Sequence, residues 1–535
     1  MHMIFAYHCH VYAASKPTVI ITLAPQSITH SGIWPAIYVV VAALAAGVLG
    51  FSTANAESVQ TLSPPATEHF VIADKLSGAK RAEADLVNDA PGGASYDLST
   101  IVQIPDLLDN LYKYNVNSTS DLVTYRTPDG TLMQLFTYWA ADRRLHITER
   151  AFPDGMFTAP VDIHTAVMGD TETLEYDSHN ASAVGVAPNG VLFATGNHHV
   201  DELNMAFAPN YNIRAFSTMP ADSMVSKTEA NRVTYPSFFT FNNHLYFSYR
   251  EQEAGDKTPR FRWLINRYDH QQDKWTHAVQ FHTGISLRMY VSNIVADKKH
   301  EKLHLFFTWR DDTDKSGRGP DIQRDYIHLS SANAKDWHFN TSTTTVNTQH
   351  LLWYDNGQVK EGYTGYQPTA SEKIWSYPAD PKPRSAGVAT VDDAGHPHSL
   401  VKANDGTLYH HAWSGTKWQS RALQGWTANS IEIINCPDNV AALLAVNDKI
   451  YYRSLDATRQ SHAEPVLLAE GFTTGNFSLS VDKEAINSAY VSFLLTRNTH
   501  FRPRKHDHNN PLNTQPAWIA TFHCDELESA TPFRQ

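Results

Sequence analysis

From residue 129 onward the chain repeats one local pattern. A turn dipeptide is followed by alternating apolar and polar residues, often ending on an aromatic residue or an arginine. It reads DGTLMQLFTYW from 129, NGVLFATGNHH from 189, NNHLYFSYR from 242, HEKLHLFFTWR from 300, DGTLYHHAW from 405 and NDKIYYRSL from 447. Alternation puts successive side chains on opposite faces of a strand, and the Asn, Asp and Gly dipeptides supply the left-handed backbone of tight hairpins. The starts are 60, 53, 58, 105 and 42 residues apart, and the step of 105 reads as two units, with YDNG at 354 to 357 as a weaker marker between them. Short strands recurring every ~40–60 residues are the mark of a β-propeller built from four-stranded blades. Helical periodicity is nearly absent. The predicted fold is all-β, a single propeller of seven four-stranded antiparallel blades over residues 101–535, with length enough for an eighth.

Composition narrows the partners. The 535 residues are 42% hydrophobic and 11% aromatic, which suits a packed globular core. A net charge of −12 excludes broad electrostatic capture of nucleic acid, so a polyanionic ligand must be met by a local basic patch. Near the N-terminus, AIYVVVAALAAGVLGF from Ala36 to Phe51 is uncharged but short for a bilayer span, and ANA at 54 to 56 offers a small-residue cleavage site. Residues 1–56 therefore read as a leader with a secretory signal cleaved near Ala56, an uncleaved anchor being the alternative, and 57–100 as a polar segment. The mature chain is expected to be a secreted monomer, extracellular or periplasmic, free of the membrane. Of three cysteines, Cys9 falls in the leader, which leaves Cys436 and Cys524, too few for a disulfide framework.

Turn chemistry sets two registers. In EYDSHNASAVGVAPNGVLFATGNHHV, residues 175–200, a two-residue turn at Asn189-Gly190 would put Pro188 in the closing pair, where a backbone N–H is needed. A type I turn with Gly190 as a left-handed bulge residue pairs Ala187 with Val191 instead. Extended along the strands, and unless a bulge at Gly196 shifts it, this register sets His179 opposite His199 and turns His198 to the other face. In TYPSFFTFNNHLYFSYR, a two-residue turn at Asn242-Asn243 sets Tyr235 opposite Arg250. In neighbouring blades, these four residues can converge on one cleft.

Their chemistry suits β-elimination at a uronic acid. A cation lowers the charge on the C6 carboxylate and acidifies the C5 proton, a base removes that proton, and an acid protonates the leaving O4. Arginine offers a planar fork for the carboxylate, and histidine and tyrosine can serve as base and acid. Each residue also has a plainer reading: a strand-end histidine is commonly structural, Tyr-Pro commonly packs, and an arginine beside a tyrosine commonly stacks at a rim.

The motifs YDSHNASAVGV, GVLFATGNHHV, NRVTYPSFFTFNNHLYFSYRE, INRYD and LHLFFTWRDD together resemble the BNR-repeat family that contains the seven-bladed propeller ulvan lyases. Those are secreted bacterial enzymes that cut the sulfated rhamnose and uronic acid polysaccharide of green algae. The resemblance runs from about residue 110 to 340 and more loosely to the C-terminus. It implies His179 and Tyr235 as the proton-transfer residues, without deciding which is base and which acid, and Arg250 and His199 as holding the carboxylate. Its His-Asn and Asn-x-His elements carry Asn180 and Asn197 as substrate contacts. The chain departs from the family after Arg250, where EQEAGDKTPRFR replaces a Gly- and Ser-rich turn. Its Asp-box SSANAKDW keeps Ser330 and Trp337 but has Ala332 and Ala334 where Asp and Gly belong, which predicts a weakened turn.

Further candidates surround this set. Lys227, Arg232, Arg250, Lys257, Arg260, Arg262 and Arg267 form a basic island able to receive sulfate and carboxylate, or a solvated rim. Tyr290, Trp309 and Arg310 occupy comparable positions in the next blade and could contact sugar, though Trp309 also suits a core position. HFRPRKHDH at 500 to 508 reads as a loop. Across ANDG at 403 to 406, a tight turn pairs His398 with His411, and with Cys436 on a following strand these form a candidate structural metal site, suiting zinc better than calcium. Catalysis needs no cofactor on this reading. Two alternatives remain: a propeller α-L-rhamnosidase acting on rhamnosyl-glucuronate ends, and a non-catalytic carbohydrate-binding propeller.

Overall fold

The computed structural model describes residues 101–103 and, with internal gaps, 120–529; outside it fall, among others, 1–100, 104–119, 170–180, 224–231, 253–259, 312–322, 376–386, 456–464 and 499–516. Seven antiparallel sheets follow one another along the chain as the blades of a β-propeller. Their first strands are Leu122–Arg126, Ala183–Val186, Val233–Phe241, Leu287–Asp297, Val388–Val391, Ser430–Cys436 and Asn476–Val481, which number blades 1 to 7. Among the described residues no helix is long and apolar enough to cross a membrane.

The first strands ring the axis. Val123, Phe238, Val295, Thr390, Ile433 and Val481, from six of them, line a central cavity of about 240 Å³. Between blades the faces are aromatic and aliphatic, as where Trp263 and Phe281 of blade 3 meet Phe307, Trp309 and Leu329 of blade 4. Each such side chain stabilises by about 1.5–3 kcal/mol on burial. Blades 2 and 3 meet closely at Gly185, where a Cβ would fall 2.6 Å from the Phe238 ring, so that position admits no side chain.

The hairpin registers follow the turn residues. Ala187 and Val191 close the first turn, with the Gly190 N–H donating to the Ala187 carbonyl and Gly190 at φ +84°, as predicted. Asn242 and Asn243 both take positive φ and pair Phe241 with His244, the expected two-residue turn. The blade markers need correction. Those at 405 and 447 belong to the second hairpins of blades 5 and 6, not the first. YDNG forms part of a separate two-stranded hairpin, Tyr354–Asp355 with Gln358–Val359, and marks no blade. The long step arises inside blade 4, between its third strand Gln323–Ser331 and its fourth, Lys373–Trp375. Blade 7 escaped notice because its first two strands are joined through a 3-10 turn, Ala485–Ser488, which carries no dipeptide signal. The degenerate Asp-box keeps its turn: Asn333 Oδ1 accepts the N–H groups of Lys335 and Asp336, Ala334 takes φ 61°, and Trp337 is buried.

Three devices close the ring. Ile101–Gln103 pairs with Ala517–His523 and becomes the outer strand of blade 7. The turn of blade 7 reaches across the axis: Glu484 accepts from Thr240 Oγ1 at 2.6 Å and pairs with Lys298, while Lys483 Nζ donates to Asn293 Oδ1 at 2.6 Å. Finally, Cys436 of blade 6 and Cys524, just after the last strand, form a disulfide, so two cysteines too few for a framework still make one staple.

Candidate active site

The segment after the blade 2 hairpin leaves its sheet. His199–Asp201 pairs with the inner edge of blade 3, His199 opposite Thr234 and Asp201 opposite Val233. Among the described residues, blade 2 pairing between its first two strands runs from Val186 and Leu192 to Ala183 and Thr195. Asn197 at φ 63° and Val200 at φ 69° make the detour, and the Val200 N–H donates to Thr234 Oγ1 at 3.1 Å. His179 and Asn180 lie outside the described residues.

A second irregularity faces it. The blade 3 ladder keeps the predicted register from Phe241 back to Ser237, then shifts, so Arg250 stands opposite Thr234 and not Tyr235. The extra residue is Tyr235, at φ 61°, a left-handed conformation unusual for an aromatic residue. Three non-glycine residues in that conformation, Asn197, Val200 and Tyr235, thus cluster where two chain segments meet. Such strain of order 1–3 kcal/mol per residue concentrates at functional sites.

The bulge still brings Tyr235 onto Arg250. The Arg250 Cζ lies over the Tyr235 ring at 4.7 Å, over Tyr290 of blade 4 at 5.2 Å and over Phe261 at 5.4 Å. Arg250 is only 3% exposed, and its Nη1 has no hydrogen-bond partner. The adjacent carboxylate, Glu251, pairs with Arg262. Trp263, opposite Arg250, stacks behind Tyr235. His199 is half-buried, and its backbone N–H donates to Asp201 Oδ2. Asn197 is buried with Oδ1 unpartnered, whereas buried His198 accepts the Asn204 N–H at 2.9 Å, and burial pushes its imidazole down to about 3. The axial cavity is separate: its lining includes none of His199, Tyr235 or Arg250.

Other candidates fare differently. Tyr290 is half-buried against the Arg250 group, and Arg232 is half-buried at the entry to blade 3. Trp309 is core, 1% exposed, because it shares a strand face with Leu303, Leu305 and Phe307. Its packing is that of the core position the sequence also allowed. Arg310 is placed as a strand position opposite Arg288, its side chain lying outside the described residues. Lys227, Lys257 and the 500–508 segment also lie outside them. Phe261 was missed, though alternation in RFRWLIN places it on the same strand face as Trp263.

The metal set does not assemble. Ala403 and Thr407 close the ANDG turn with Gly406 left-handed at φ 89°, which moves the register by one and pairs His398 with Ala412 and His411 with Ser399. His398 Nδ1 meets His410 Nε2 at 2.9 Å, and His411 Nδ1 meets Ser420 Oγ at 2.7 Å. Cys436 is taken by its disulfide, so it offers no thiolate. Among the described residues no group of three or more His, Cys, Asp or Glu could hold a metal ion.

Residues 133–426 match the model of a BNR repeat-containing family. Among solved structures, the chain is similar to the polysaccharide lyase Uly1, at 13% identity and a TM-score of 0.52, covering 80% of this chain and all of that one. It is likewise similar to a polysaccharide lyase PL25 ulvan lyase bound to -[GlcA(1-4)Rha3S]-, at 11% identity and a TM-score of 0.53, covering 81% and 100%. At such identities the likeness is one of fold. No curated protein matches the sequence.

Proposed function

The chain belongs to the BNR repeat-containing family, and on that premise we propose that it is a polysaccharide lyase that cleaves a sulfated rhamnose and uronic acid polysaccharide, ulvan, by β-elimination. The observation that carries this reading is the buried Arg250 guanidinium. It lies against the Tyr235 ring, has an unused donor, and is paired with Thr234, whose other cross-strand neighbour is His199. A buried cation without an anion is unfavourable, and a ligand carboxylate relieves that cost.

In the proposed reaction Arg250 binds the uronate C6 carboxylate through its planar fork and, with His199, neutralises charge that spreads onto it as C5 loses its proton. Tyr235 and His179 divide the two proton transfers, one taking the C5 proton and the other protonating the O4 leaving group. The C5–H and C4–O4 bonds break, a C4=C5 double bond forms, and the new chain end is a 4,5-unsaturated uronate. The role of His179 rests on its sequence motif. Secretion is also part of the proposal: a buried disulfide between Cys436 and Cys524 favours an oxidising compartment.

Incubation with ulvan tests the reading. A lyase releases oligosaccharides that absorb in the ultraviolet through the unsaturated uronate. New reducing ends without that absorbance indicate a glycosidase, and binding without cleavage a lectin.

A further inference from the structure

Arg250 is held in place without a salt bridge. Among the described residues no carboxylate pairs with it, since its neighbour Glu251 is engaged by Arg262. Three aromatic rings surround it instead, each with its centroid 4.7 to 5.4 Å from Cζ and so inside the roughly 6 Å reach of a cation–π contact. They come from three places: the Tyr235 bulge, Phe261 on the third strand of blade 3, and Tyr290 on the first strand of blade 4. A carboxylate would fix the guanidinium by consuming its N–H donors and cancelling its charge. Aromatic rings offset part of the burial while leaving both available.

From this we infer that Phe261 and Tyr290 are positioning residues, which hold the Arg250 fork in a fixed orientation with its charge uncompensated, ready for a ligand carboxylate. The inference rests on the proposed uronate chemistry for its substrate. It adds that blade 4 shares in the site by aligning the arginine, and that Tyr290 acts through Arg250, not chiefly as a sugar platform.

A double-mutant cycle on the full chain decides it. Phe261→Leu and Tyr290→Leu are each expected to lower kcat/KM on ulvan by roughly 10-fold, mostly in kcat, because a loosened fork binds the ground state better than the transition state. Tyr290→Phe should recover most of the loss. In an Arg250→Lys background the same changes should have little further effect, since coupled residues are not additive. Equal losses in both backgrounds, or none in the parent, overturn the inference. If Phe261→Leu fails to fold, the Tyr290 series decides alone. If the parent does not cleave ulvan, the lyase reading falls, and the same cycle is read by calorimetry with glucuronate as probe. Affinity that depends on Phe261 and Tyr290 only when Arg250 is present upholds the positioning role, and a parent that binds no glucuronate overturns it.

Discussion

The Arg250 guanidinium lies 4.7 Å from the centroid of the Tyr235 ring, although their strands pair Arg250 with Thr234. The bulge that displaces Tyr235 from the ladder also delivers its ring to the arginine, so cation and phenol are held by two different constraints. Substitutions at either can therefore be separated.

Arg250→Lys keeps the charge but loses the planar pair of donors. A charge-assisted hydrogen bond contributes about 2 kcal/mol, so kcat/KM should fall about 30-fold, with kcat sharing the loss. Steady-state rates on ulvan check this. A change confined to KM would mean that Arg250 binds the ground state and the transition state equally.

Tyr235→Phe removes one hydroxyl. As a proton-transfer group its loss should lower kcat by roughly 10²–10⁴-fold, with oligosaccharide affinity by calorimetry near that of the parent. The same drop is expected for His179→Ala. Turnover within a few-fold of the parent in either variant removes that residue from the mechanism.

Hairpin ends were legible where the local residues dictate the turn. Pro188, Asn189 and Gly190 admit one register, and Asn242-Asn243 another. What stayed hidden was decided at a distance. Nothing within residues 196–201 says that the chain will abandon its own blade for the edge of the next, because that edge belongs to Val233 and Thr234. The Tyr235 bulge likewise brings its ring against Arg250 and Tyr290, residues distant in sequence that no local turn signal announces. The His398 and His411 pairing failed for a local reason: ANDG also serves as a bulged turn with Gly406 left-handed, and the one-residue slip sends the two histidines to opposite faces.

Mildly acid solution should destabilise the fold. Burial holds His198, His304 and His411 neutral, each with a pKa near 3, against the ordinary 6.5 that applies in the unfolded chain. Between those values the unfolded chain binds protons that the folded chain refuses, so stability is complete above pH 6.5 and declines as pH falls toward 3. Asp482 opposes this: burial raises its carboxyl to about 6, so its contribution is present below its ordinary 3.8 and fades as pH rises through 6. Burial also raises the Glu149 carboxyl, but it holds His328 and His410 well below their ordinary value too, so the neutral imidazoles outnumber the raised carboxyls and Tm should drop between about pH 7 and pH 4. A Tm that stays level or rises over that interval contradicts the buried, neutral histidines.

Cys436→Ser or Cys524→Ser should each cost roughly 2–5 kcal/mol, the usual value of a bridge closing a loop of this size. Denaturant unfolding with and without a reductant measures it. The parent should lose stability on reduction, and the variants should not respond; an unresponsive parent means the bridge is absent in solution.

The outer strand of blade 7 is Ile101–Gln103, laid against Trp518, Ile519 and Ala520. During synthesis every other described strand emerges between these two, so the ring stays open until Ala517–His523 has left the ribosome. The entropy of bringing such distant segments together is met last, and the contact that completes the circle belongs among the slow, late events of folding. Until then Ile101–Gln103 and the blade 7 strand Tyr490–Asn498 lack the partner that joins them, and a chain halted short of residue 517 presents these two unpaired β-edges to its neighbours.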